Sequence, residues 1–193
     1  MTTMDSDPIQ DHILENKDNL LIAAEVSDAW LKVRKKLGLD FLDGLERALQ
    51  LKKELKGEWK FEKEGCPFEN SWASFDFSKP AWKNEYFVSL CFGDYGHDVY
   101  FGLSRDYDKP SIKKRSRCAA LLAAVKEHYT SSNDSNYWEA CVSVPSIPGD
   151  WGKPDVLWSM HDEKDELLNK VAEHLLKVAK ISTPFVDQLA GKK

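Results

Sequence analysis

Apolar residues fall at helical spacing in the first quarter of the chain. Asp7-Pro8 predicts the start of a short helix, with Asp as N-cap and Pro in the first turn. Ile22, Val26, Trp30, Val33 and Leu37 then share one helical face, and Gly38 predicts the stop. Asp40 is positioned to cap a third helix that buries Phe41, Leu45, Ala48 and Leu49 and ends at Gly57. There the period changes from 3.6 towards 2. Trp59 and Phe61 alternate with Lys60 and Glu62; after Gly65-Cys66-Pro67, Ala73, Phe75 and Phe77 alternate with Ser74 and Asp76. Tyr86, Val88, Leu90 and Phe92 share a face of the next strand, and Val99, Phe101 and Leu103 follow the turn Gly93-Asp94-Tyr95-Gly96. Connections this short join antiparallel neighbours.

The helical period returns after Ser111, where Ile112, Cys118, Leu121, Leu122, Val125 and Tyr129 predict one helix. Residues 130–136 read as a polar loop, and Trp138, Ala140, Val142 and Val144 as a further strand. A Pro/Gly-rich loop carries Trp151. Ser159 with Asp162 resembles a capping box for a terminal helix striped by Leu168, Val171, Leu175 and Val178, which Thr183-Pro184 interrupts before a short tail to Lys193. The expected fold is α+β: an antiparallel aromatic-rich β-meander packed with N-terminal, middle and C-terminal helices. One domain, 1–193, is expected, with a helical layer (1–57), the meander (58–104), a helix (111–129), strands and the Pro/Gly loop (137–160) and a C-terminal helix (161–190).

Composition leaves this picture unchanged but narrows the setting. The 193 residues, 42% hydrophobic and 31% charged, suit one folded domain. A net charge of −5 does not favour nucleic acid over the whole surface and suits a basic partner. The four cysteines, Cys66, Cys91, Cys118 and Cys141, have no CxxC spacing and read as reduced thiols, implying a cytoplasmic location. Residues 1–10 are acidic and polar rather than a secretory signal, and no apolar run is long enough for a membrane span.

Candidate chemistry is sparse. Glu58-Trp59-Lys60 has the E-x-K form of Mg²⁺-dependent nucleases, with Asp43 or Asp40 upstream as the second carboxylate. Such a site needs its Asp at a neighbouring strand end, whereas Asp40 and Asp43 lie at a predicted helix start. His97-Asp98 and His161-Asp162 place adjacent residues on opposite faces, so no metal site is expected from them. No G-x-S-x-G or nucleotide-binding glycine pattern is present. The sharpest local departure is 105–117, where Arg105, Lys109, Lys113, Lys114, Arg115 and Arg117 face only Asp106 and Asp108. Lys113, Lys114 and Arg115 would occupy the first turns of a helix, where the dipole disfavours cations. Two readings stand: a surface for phosphate backbone or an acidic protein, and a solvated face neutralised within the chain. Trp82 and Trp151 lie in turn-rich segments and are the tryptophans expected to be exposed as binding anchors.

The run Trp82-Lys83-Asn84-Glu85-Tyr86-Phe87-Val88-Ser89-Leu90-Cys91-Phe92, then Val99-Tyr100-Phe101-Gly102-Leu103, Trp138, Trp151-Gly152 and Val156-Leu157-Trp158 before a long helix, carries a resemblance. It resembles the region C-terminal to the nuclease core in bacterial and phage-associated proteins of the PD-(D/E)XK nuclease superfamily, over about residues 72–190. Those motifs bring no catalytic residue with them, and only about 60 largely helical residues precede the sheet. The resemblance therefore implies an accessory module without its enzyme.

The leading expectation is a non-enzymatic macromolecule-binding or regulatory protein, of inhibitor or immunity type in a bacterial antiviral-defence or phage setting. It would bind a protein partner, with nucleic acid as a further candidate at 105–117, no membrane and no cofactor. The expected binding residues are Trp82, Arg105, Lys113, Lys114, Arg115, Arg117 and Trp151. The alternative is a Mg²⁺-dependent PD-(D/E)XK-like nuclease using Asp43, Glu58 and Lys60. A small-ligand pocket between sheet and helices is a third reading.

Overall fold

The computed structural model describes residues 7–132 and 135–191. Positions 133–134 of the predicted polar loop, the start of the polar N-terminus (1–6) and the end of the tail (192–193) lie outside the described residues. The chain forms α1 (Pro8–Leu14), α2 (Lys17–Gln50), β1 (Lys60–Glu64), β2 (Trp72–Ser78), β3 (Tyr86–Gly93), β4 (Asp98–Arg105), α3 (Pro110–Lys113), α4 (Ala119–Lys126), β5 (Thr130–Ser132), β6 (Trp138–Ser143), α5 (Pro154–Asp162) and α6 (Lys164–Gly191). It is the expected α+β arrangement, with one antiparallel sheet ordered β1-β2-β3-β4-β6-β5.

Sheet registry follows from the alternation. Phe75, Leu90, Phe101 and Val142 are successive partners across four strands. All four are buried on the face covered by the helices. Phe41, Leu42, Leu45 and Leu49 from α2, Leu121 and Val125 from α4, and Val171, Leu175 and Val178 from α6 close the same core. Burying one such side chain contributes about 1.5–3 kcal/mol, so this layer dominates the fold.

Asp7 caps α1 as expected, its Oδ1 accepting from Ile9 N at 2.9 Å, with Pro8 at the first position. The predicted break at Gly38 does not occur, because α2 runs 34 residues straight through it. A mid-helix glycine costs only about 1 kcal/mol, and here packing uses the missing side chain. A Cβ on Gly38 would lie 3.0 Å from Phe68 Cδ2. Asp40 is accordingly not a cap; its Oδ2 accepts from Lys36 Nζ at 2.5 Å, one turn back. Pro184 likewise fails to end α6. Val186 beyond it is fully buried, and Asp187 bonds Trp82 and Lys79, so tertiary contacts carry the helix past the lost N–H.

The predicted helix from Ser111 is instead two short helices, α3 and α4, separated by 114–118. Side chains of the sheet take the backbone groups that a continuous helix would use. Glu139 accepts from Cys118 N, and Arg105 Nη1 donates to Arg115 O at 3.3 Å. Ser111 is no cap; its Oγ donates to Glu85 Oε1 at 2.9 Å. The segment 154–162, read as the end of a strand region, is helix α5 with Pro154 at its first turn. Ser159 therefore sits inside α5 and its Oγ reaches Glu163, rather than capping α6. Part of the predicted polar loop is strand β5, paired with β6. No helix among the described residues is long and apolar enough to cross a membrane.

Candidate binding site

The two tryptophans expected at the surface are both in the core. Trp82 and Trp151 are each 0% exposed. Trp151 meets Phe41 and Phe92 edge-on, with centroids 4.9 and 5.2 Å away, and its Nε1 donates to Pro148 O at 2.7 Å. Trp82 meets Trp59 edge-on at 5.1 Å and donates to Asp187 Oδ1 at 2.7 Å. A turn-rich segment marks where the backbone bends, not whether its aromatic residue points outward. Each indole N–H already has an internal acceptor, which permits full burial.

The basic segment is also largely turned inward. Arg105 Nη1 lies 3.3 Å from Glu139 Oε2, with the two side chains 5% and 1% exposed. Arg105 Nε donates to Asn136 O at 2.8 Å. Lys109 Nζ donates to the carbonyls of Lys83, at 2.8 Å, and Asn84. Arg115 Nη1 donates to Tyr86 OH at 3.1 Å and lies 3.7 Å from Glu85 Oε2. That hydroxyl favours the charged guanidinium and raises its pKa further. Arg117 Nη2 donates to Ser135 O at 2.7 Å. Lys113 stands over the Tyr107 ring at 5.9 Å, and Lys113 and Lys114 are exposed. Four of the six cations are therefore engaged within the chain, Arg105, Lys109 and Arg115 beside the carboxylates of Glu139, Asp106 and Glu85 and Arg117 on a backbone carbonyl.

The residues of the nuclease alternative are not gathered at one point. Asp43 Oδ1 accepts from Lys63 Nζ at 2.6 Å, and Glu46 Oε2 lies 2.9 Å from the same nitrogen. Lys63 is three positions from Lys60 along β1, an odd separation that puts the two on opposite faces of the strand. Asp43 lies on the face bearing Lys63. Glu58 is exposed ahead of β1, beside a depression shared with Lys79. Among the described residues no cluster of three or more His, Cys, Asp or Glu has metal-binding geometry. His97 is engaged with Asp150 at 2.9 Å.

The helices cover one face of the sheet, and the alternating residues build a different surface on the other. Glu64, Ser74, Cys91 and Tyr100 are successive register partners there, as are Glu62, Asp76, Ser89, Gly102 and Cys141. Small floor residues leave a groove of about 570 Å³, lined by Glu64, Trp72, Ser74, Cys91, Ser104, Tyr137 and Trp138 among others. That volume lies within the usual range of ligand-binding clefts. Trp72, 65% exposed, stacks on Tyr100 with centroids 6.1 Å apart and rings 22° from parallel. The stack closes over Gly93, where a Cβ would lie 3.2 Å from Tyr100 Cε2 and 3.4 Å from Trp72 Cη2. Tyr137, 53% exposed, lines the groove from the segment leading into β6.

Along the floor runs a hydrogen-bonded chain. Ser104 Oγ and Ser89 Oγ are 2.6 Å apart; Ser89 Oγ donates to Asp76 Oδ1 and Ser74 Oγ to Asp76 Oδ2, each at 2.5 Å. Burial pushes the Asp76 carboxyl above its usual pKa, and the two hydroxyls only partly offset that. Burial also raises the Cys91 thiol well above its ordinary value, so it is a small apolar wall rather than a nucleophile. The groove thus offers aromatic faces, a fixed polar floor and the Glu64 carboxylate at its side. Comparison with protein-family models, curated proteins and solved structures finds no match.

One further constellation has a catalytic outline. His174 Nδ1 lies 3.1 Å from Tyr129 OH, and its Nε2 lies 3.3 Å from Ser146 Oγ. Burial lowers the His174 pKa and lifts Tyr129 to about 12, so both are neutral at pH 7. A neutral phenol is the better donor. When it donates to Nδ1, the proton sits on Nε2 and points at Ser146, the wrong tautomer for a general base.

Sequence reasoning missed Glu64, Trp72, Tyr100, Tyr137 and Trp138 as site residues. The available signal was the polar half of each alternation. Ser74, Asp76, Ser89 and Cys91 are all small or acidic, which leaves a sheet face too shallow to be a second core.

Proposed function

We propose that this chain is a non-enzymatic protein-binding module that receives a basic segment of its partner in the groove on the open sheet face. The observation carrying this reading is the Trp72–Tyr100 stack beside Glu64 at a concave, otherwise shallow face. An Arg or Lys side chain suits it. Its aliphatic stem lies along aromatic surface while its charged head meets a carboxylate. The net charge of −5 draws a basic partner towards the chain. An inhibitory or immunity-type action on a basic enzyme is a specific form of this proposal, and the phage or defence setting implied by the nuclease-accessory resemblance belongs with it.

The test is a selection of random peptides on the immobilised protein. Recovered peptides should carry Arg or Lys and lose at least tenfold in affinity against Trp72→Ala and against Glu64→Lys. Peptides without basic residues, or binding indifferent to both substitutions, would remove the groove as the site. Retained DNA or RNA cleavage with Mg²⁺ by the purified chain would favour an enzyme instead.

A further inference from the structure

Helix α2 has two unlike halves. Its buried residues are Gly38, Phe41, Leu42, Gly44, Leu45 and Leu49, all in the second half. The first half, 17–36, spans about 30 Å at 1.5 Å per residue and buries nothing. Yet Leu20, Ile22, Val26, Trp30, Leu31 and Val33 are between 41% and 63% exposed along it. At 100° per residue Ile22, Val33, Val26 and Trp30 fall within one stripe about 80° wide, and Arg34, Leu20 and Leu31 lie beyond its Trp30 edge. Asp18, Glu25, Lys32 and Lys36 flank that stripe along its Ile22 edge, and Lys17, Asp28 and Lys35 lie on the opposite side. An amphipathic helix of this kind gains its stability by covering the apolar side.

Charge on this arm is graded along its length. Residues 17–28 hold Lys17 against Asp18, Glu25 and Asp28, a net −2, whereas 32–36 hold Lys32, Arg34, Lys35 and Lys36, a net +4. Two copies placed parallel would set like charge against like. Placed antiparallel about a two-fold axis near residue 28, Ile22 of one copy meets Val33 of the other and Val26 meets Trp30. The same register brings the flanking Glu25 near Lys32, whereas Lys35 and Lys36 already pair with Glu69 and Asp40 within the chain. Both the apolar seam and the charge gradient are self-complementary in that one orientation, as an isologous interface requires.

We propose that the first half of α2 is a homodimerisation arm that pairs antiparallel with the same segment of a second copy. The contact is small. A helix face about 30 Å long and about 10 Å wide gives a footprint of about 300 Å² per partner, against about 800 Å² in a standard interface. Pairing is therefore reversible and concentration-dependent. This inference does not rest on the sheet groove, which lies on a different element.

Sedimentation equilibrium of the full chain from about 1 to 300 μM should show the mass rising from 22.1 kDa towards twice that value. Val26→Glu, at an exposed position, should abolish the rise while leaving circular dichroism unchanged. Glu25→Lys should weaken it, and adding Lys32→Glu should restore it. With a short bismaleimide, Ser27→Cys next to the axis should cross-link to itself and Ile22→Cys should not. A monomer at every concentration would overturn the proposal. So would a dimer indifferent to Val26→Glu, or stronger self-cross-linking at Ile22→Cys, which would mean parallel pairing.

Discussion

Replacing Glu139 with alanine tests whether the basic segment is held inward. Arg105 and Glu139 are 3.3 Å apart and almost wholly buried. At an effective dielectric of about 20, charges at that separation attract by about 5 kcal/mol. Removing one partner leaves the other charge buried, which typically costs about 3–5 kcal/mol. Arg105 keeps its bonds to Asn136 O and Arg115 O, but Cys118 N loses its carboxylate acceptor. The expected loss is therefore about 4 kcal/mol, a large share of the roughly 5–15 kcal/mol available to a domain. In urea titrations followed by tryptophan fluorescence, a slope of about 2 kcal/mol/M turns this into a midpoint lower by about 2 M. The double variant Arg105→Met/Glu139→Leu should recover much of the loss, because no unpaired charge remains. A Glu139→Ala loss below about 1 kcal/mol would mean that the pair is solvated and the clamp does not exist.

Two other predictions follow from single contacts. The Asp76 carboxyl binds its proton more tightly folded than unfolded, so it contributes stability below its ordinary pKa of 3.8 that is lost as pH rises through the folded value. Asp76→Asn should therefore stabilise the fold at pH 7 relative to the parent, with the advantage vanishing below about pH 4; an advantage that grows on acidification would refute the assignment. Gly38→Leu should destabilise by about 1–3 kcal/mol through overpacking against Phe68, despite better helix propensity; a stabilised variant in the same titration would mean that the close approach is absent.

The sheet was legible because alternation reports burial directly. Phe75, Val88, Leu90 and Phe101 could be assigned to one face from period alone, and they form that face. What period does not report is tertiary competition. Gly38 and Pro184 are local stop signals overruled by Phe68 packing and by Val186 and Asp187 docking. The helix expected from Ser111 is broken by side chains outside it, Arg105 bonding onward to a carbonyl 10 residues away and Glu139 bonding back to an N–H 21 residues away. The site was harder still. Trp72 and Trp82 look alike in sequence, but one stacks in the open over Gly93 and the other lies under α6. The groove depends on four strands aligning Glu64, Ser74, Cys91 and Tyr100, a relation set only by register.

The most direct measurement is a two-dimensional nitrogen–proton NMR titration of the chain with an Arg-containing peptide. If the open face is the receptor, the Trp72 and Trp138 indole signals and the amides of Ser74, Cys91 and Ser104 shift together and saturably. The Trp82 and Trp151 indoles, bonded to Asp187 and Pro148, stay in place. Shifts confined to residues 113–117, or none at any peptide concentration, would contradict the account.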